Sequence, residues 1–175
     1  MDQLTIPQYR KVMALQQIKD EQTKAERLVS YLANITVSDV RRMTQKSFDK
    51  VGQTIAEMAP LEKAYPLEVF YKHDGVDYGF IPNLEQLTVG EMADIEYMCT
   101  DTTANLEKLM SVFYRPIKQR HGMFYSVNDY EGVNDKPFLE MEIRQALGAL
   151  NFFFRLGFAW LHSTSNYFME ETGAV

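Results

Sequence analysis

At 175 residues the chain is long enough for one ordinary domain or two small ones, and with 46% hydrophobic and 24% charged residues it lies far from the composition of a disordered segment. Its formal net charge of -6 argues against nucleic acid as the main ligand, because such binding is driven by cation density along phosphates. A lone cysteine, Cys99, excludes an intramolecular disulfide and a multi-cysteine zinc site.

The N-terminus, "MDQLTIPQYRKVM", lacks a charged-then-apolar signal pattern, so secretion is not expected. The first sixty residues read as short helices in series, with apolar positions at helical spacing around Tyr9 and Val12, Leu28 and Leu32, and Phe48 and Val51. Ala59-Pro60 and Tyr65-Pro66 close this unit, since proline cannot continue a helical ladder and pushes the residue before it into extended conformation. Two units follow from this: residues 1–60, helical, and residues 61–175, α+β, or both as one continuous domain.

A phrase recurs three times: "LTIPQY" at 4–9, "ITVSDV" at 35–40 and "LTVGEM" at 87–92. With Thr5, Thr36 and Thr88 as helix N-caps, Gln8, Asp39 and Glu91 fall at the third helical position. From there a side-chain acceptor reaches back to the cap's own N–H while the threonine oxygen accepts from the third amide. Leu4, Ile35 and Leu87 then precede the caps, and Tyr9, Val40 and Met92 follow at the positions of a hydrophobic staple. The phrase marks three helix starts. The spacings between the threonines, 31 and 52 residues, are unequal, and this gives no support to a duplicated module.

The period changes at "LEVFYKHDGVDYGFIPN", where β-favouring residues flank Asp74-Gly75; a hairpin is expected over residues 67–81. Helices are expected from Thr88 to about Cys99 and from Thr103 to about Tyr114, ended by Arg115-Pro116. The cations of Arg115, Lys118 and Arg120, with His121, read as a solvated loop, and "MFYSVNDYEG" as a candidate third strand. From Pro137 one long helix is expected to reach the late 160s, with aromatic residues off its narrow apolar stripe. The expected fold class is therefore α+β, mostly α-helical, with short N-terminal helices, a central hairpin and a long apolar C-terminal helix. Its most apolar run, "FFFRLGFAWL", is about half of a membrane span and contains Arg155.

No metal is expected, because His73, His121 and His162 share no helical or hairpin ligand spacing with one another. No serine elbow or phosphate-binding glycine loop occurs, and Cys99 among Tyr97, Met98 and Thr100 reads as a small core residue, so no catalytic residue and no cofactor is assigned. The remaining enzymatic pattern is Glu91 with Asp94, one helical turn apart; Glu91 already has an account as the partner of Thr88. Ten methionines and twenty-two aromatic residues chiefly serve a core. Any exposed, partner-binding patch is expected at Phe152, Phe153, Trp160, Tyr167 and Phe168.

The order of parts resembles a known group. "LTIPQYRKVMAL", "YGFIPNLEQLTVGEMADIE" at 78–96, "LMSVFYRPI" at 109–117, "YEG" and the apolar C-terminal helix are similar to small proteins encoded in the virion-morphogenesis modules of tailed phages, including crAss-like and related Bacteroides phages. The resemblance implies a non-enzymatic protein acting through contacts with other phage morphogenesis or virion proteins. It would be either a tail-assembly-chaperone-like factor or a minor structural component of head, connector or tail. It further implies an oligomer or multi-subunit complex in the host cytoplasm or the virion, with no membrane partner.

Overall fold

The structure is a computed structural model that describes residues 4–58 and 65–156. Four helices come first: α1 (Ile6–Gln16), α2 (Glu21–Leu32), α3 (Val37–Arg42) and α4 (Gln45–Met58). Their starts follow the side chains that can satisfy first-turn amides. At α1 the Thr5 N–H donates to Gln8 Oε1 at 2.9 Å, and at α2 Asp20 Oδ2 accepts the Thr23 N–H at 2.7 Å. At α3 the exchange is reciprocal, Thr36 Oγ1 accepting the Asp39 N–H at 3.1 Å and Asp39 Oδ2 accepting the Thr36 N–H at 3.2 Å. Asn34, in the left-handed region at φ 52°, separates α2 from α3. The two helices are tied by Arg41 Nε, which meets Glu26 Oε2 at 2.8 Å. Ala59-Pro60, expected to help close this unit, lies outside the described residues.

β1 (Phe70–His73) and β2 (Val76–Phe80) then pair antiparallel across Asp74 and Gly75, whose φ values of 47° and 78° are those that a two-residue hairpin turn of matching twist requires. Two helices, α5 (Val89–Cys99) and α6 (Leu106–Phe113), lead from β2 to β3 (Tyr114–His121), and β4 (Phe124–Val127) completes a four-stranded antiparallel sheet in the order β1-β2-β3-β4. The class is α+β.

The cationic stretch expected as a loop is β3. Tertiary pairing overrides its loop-like composition: Tyr114, Arg115 and Pro116 stand opposite Phe80, Gly79 and Tyr78, and the Ile81 N–H donates to the Phe113 carbonyl at 2.8 Å. Pro116 has no donor to lose a partner, and its carbonyl accepts the Asn128 N–H at 2.9 Å. A register shift between Ile117 and Gln119 bends the strand, as an extra residue in a ladder does.

The β3–β4 ribbon consequently lies back over the first hairpin. The Tyr125 ring occupies the space a Cβ on Gly79 would need, at 2.5 Å, and its hydroxyl donates to the Phe80 carbonyl. The Phe70 ring meets Tyr125 edge-on at 5.1 Å, and the Arg120 guanidinium sits 3.9 Å above Phe70. Only glycine at position 79 leaves room for this closure.

The C-terminal helix also starts later than Pro137 suggests. Lys136–Phe138 form a single 3-10 turn, and the helix runs from residue 143 to the last described residue, 156. Between them Leu139 and Glu140 form a turn, and Glu142 then bridges to Thr5: the Ile6 N–H donates to the Met141 carbonyl at 3.1 Å and the Ile143 N–H to the Leu4 carbonyl at 2.8 Å. Long-range pairing thus takes precedence over the local proline signal. Gly148 lies where this helix passes the segment leading into β1, and any side chain there would strike the Pro66 carbonyl.

The core joins both halves of the chain. Leu4, Ile6 and Val12 are buried in the same cluster as Phe80, Leu109 and Phe113. Phe138 fills its centre, with Tyr78 edge-on at 5.5 Å and Tyr71 stacked at 5.6 Å. No helix among the described residues is long and apolar enough to cross a membrane.

Candidate functional site

α5 is the element on which the sequence places its most chemically suggestive carboxylates. It begins at Thr88, whose N–H and hydroxyl both donate to Glu91 Oε2 at 2.6 Å while Thr88 Oγ1 accepts the Glu91 N–H at 3.3 Å. The other carboxylate oxygen, Oε1, faces Arg115 Nη2 at 2.8 Å, with the Glu91 side chain only 2% exposed and that of Arg115 15%. A charge this deep is tolerated because it is both paired and hydrogen-bonded.

One turn further, Asp94 Oδ2 accepts the Tyr130 hydroxyl at 2.7 Å. Burial pushes the Tyr130 phenol well above its ordinary range; its bond to Asp94 and the nearby Asp94 and Glu91 charges push the same way, against a smaller opposing pull from Arg115. Glu91 and Asp94 therefore have separate partners, and together they fasten α5 to β3 and to the segment after β4.

The second polar feature is a cavity of about 340 Å³ beside β1, lined by Glu68, Tyr71, His73, Glu140, Glu142 and Gln145 among others. His73 lies with Nδ1 at 3.6 Å from Glu140 and Nε2 at 3.4 Å from Asp74. The Tyr71 hydroxyl donates to the Pro137 carbonyl at 2.7 Å, and burial, with Glu140, Tyr78 and Asp74 adding to it, pushes this phenol up to about 12. Gln145 donates to the Phe70 carbonyl at 3.0 Å, so this wall is tied to the edge of the sheet. Among the described residues no group of three or more His, Cys, Asp or Glu side chains is placed to hold a metal ion.

Of the residues expected to bind a partner, Phe152 and Phe153 are described: Phe153 packs against the core and Phe152 stays partly open. Phe153 stacks on Phe113 at 4.6 Å, and Phe152, 37% exposed, meets Phe80 edge-on at 5.6 Å. Trp160, Tyr167 and Phe168 lie outside the described residues. Arg115, Lys118 and Arg120, read from the sequence as a solvated loop, are divided: Arg115 is held by Glu91, Arg120 covers Phe70, and Lys118 is open.

The most open apolar residues among those described stand elsewhere. On α5, Glu91, Ile95 and Met98 face inward while Val89 and Tyr97 face out, so the helix buries a glutamate and exposes a valine and a tyrosine. At the β3–β4 turn Met123 and Phe124 are open. For α5 a sequence signal exists: its apolar residues fall on both sides, too many for one buried stripe. For the turn none does, since the apolar pair is recognisable as a tip only once β3 is known to be a strand.

No protein-family model, no curated protein and no solved structure matches the chain.

Proposed function

We propose that the chain is a non-enzymatic assembly protein of a tailed phage, acting through protein–protein contacts as a chaperone-like factor for tail or virion assembly. The observation that carries this reading is the distribution of side chains on α5: its carboxylates Glu91 and Asp94 are engaged by Thr88, Arg115 and Tyr130, while large apolar side chains stand in the open. Open apolar groups rimmed by polar ones are the ordinary material of a protein contact. The resemblance of residues 78–96 and 109–117 to phage morphogenesis proteins supplies the biological setting, the host cytoplasm during assembly.

Mass spectrometry of purified virions and of complexes captured from infected cells tests this. The expected result is a protein bound to a tail or virion component in infected cells and missing from the finished particle. Presence in the particle at fixed stoichiometry would make it a minor structural component instead. A protein that joins neither complexes nor particles contradicts both.

A further inference from the structure

The two most open apolar surfaces among the described residues carry opposite charge. At the β3–β4 turn, which Gly122 makes at φ 64°, Met123 is 72% and Phe124 85% exposed. Lys118, Arg120 and His121 lead into the turn, and no carboxylate occurs between Arg115 and Asn128. The outer face of α5 presents Val89, 88% exposed, and Tyr97, 74% exposed, with Met92 and Ala93 between them on the same side of the helix. Glu85, Glu96 and Asp101 are exposed around it, and no lysine or arginine occurs from His73 to Glu107. Within one chain neither surface covers the other, since the four largest of these side chains all remain open.

We propose that the β3–β4 turn of one copy docks on the outer face of α5 of a second copy, Phe124 packing against Val89 and Tyr97 and the basic ribbon lying against the acidic rim. The choice of a second copy follows from charge complementarity: one sequence supplies a cationic apolar tip and an anionic apolar face. Opposite potentials steer such an encounter and fix its orientation, while a desolvated aromatic anchor provides most of its strength. Because the two surfaces differ, the contact leaves a free tip on one copy and a free face on the other, and further copies can add until a ring closes. The proposal stands on these two surfaces and not on the phage assignment.

Sedimentation of the full chain over a range of concentrations, at low and high salt, tests it. The expected result is reversible association beyond the monomer that weakens as salt rises. Phe124→Ser and Tyr97→Ser should each weaken association roughly tenfold or more, as loss of an interface aromatic does, with unchanged thermal unfolding of the dilute monomer because both side chains are open. Mixed together, the two variants retain one intact tip and one intact face, and should form a heterodimer that grows no further. A chain that stays monomeric at every concentration overturns the proposal, as does association that neither variant weakens, or a mixture no more associated than its parts. Phe124-dependent binding of a monomeric chain to anionic lipid vesicles would assign the tip to a membrane surface and overturn it as well. A monomer that still joins phage assembly complexes overturns this contact alone; self-association without any assembly partner contradicts the assembly reading alone.

Discussion

α5 and α6 follow one another in the chain, and each buries a glutamate paired with an arginine from a distant element: Glu91 with Arg115, Glu107 with Arg10. Around that shared device they differ. α6 also buries Leu106, Leu109, Met110, Val112 and Phe113 and is walled in on nearly every side; α5 buries Ile95 and Met98 and leaves Val89 and Tyr97 in the open. The comparison separates two uses of an apolar residue on a helix. In α6 the apolar residues make the core, and the ion pair ties α1 to it through Arg10, whose Nε also donates to the Thr103 carbonyl at 3.2 Å. In α5 the ion pair and the Asp94–Tyr130 bond hold the helix in place, which leaves its apolar outer face available for something else.

The comparison breaks first at Arg115. Arg115→Ala leaves Glu91 buried and uncompensated, a loss of about 3–5 kcal/mol, and chemical denaturation should show the midpoint falling accordingly; a loss near that of an ordinary surface substitution would mean that α5 is held by other contacts. Arg10→Ala exposes the same logic in α6 at smaller scale. The Arg10 side chain is 36% exposed, so solvent screens the pair, and about 1–2 kcal/mol is expected on the same denaturation curve.

Two finer substitutions sharpen the account of how α5 is fixed. Thr88→Ala removes the cap and should cost about 1 kcal/mol, read as a lower thermal midpoint. Tyr130→Phe removes one hydrogen bond to Asp94, again about 1 kcal/mol, and changes the alkaline behaviour. The folded-state phenol is raised above its ordinary value near 10, so its contribution is fully present below that value and is lost as pH rises through the folded-state value. Wild-type stability should therefore fall above about pH 10, and the fall should be shallower in Tyr130→Phe. The smallest stability effect is expected at Tyr97→Ser, within about 0.5 kcal/mol of wild type.

Much of the local grammar was legible. Thr5, Thr36 and Thr88 start helices in the sequence and in the structure, and the chain turns at Asp74-Gly75, because capping and tight turns are decided by a few neighbouring residues. What local pattern could not supply was pairing at a distance. β3 reads as a loop until Phe80 and Gly79 are placed opposite it, and Met141 and Glu142 read as helix until the Leu4–Ile6 backbone pairs there. The same limit explains the site. Phe152 and Phe153 are conspicuous in the sequence and meet Phe80 and Phe113, with Phe152 still 37% exposed, whereas Val89, Tyr97, Met123 and Phe124 are ordinary in composition and become notable only by being the most uncovered. Glu91 was assigned to the cap of α5, but its partner Arg115, twenty-four residues on, depends on the same unseen strand.

The division of α5 into an inner face that holds the fold and an outer face that makes contacts is tested most directly on Tyr97→Ser and wild type, by measuring unfolding at a dilution where both are monomeric and sedimentation at higher concentration. The account predicts an unchanged unfolding midpoint and a clear loss of association. A lowered midpoint with association intact would show that Tyr97 serves the fold, and would contradict it.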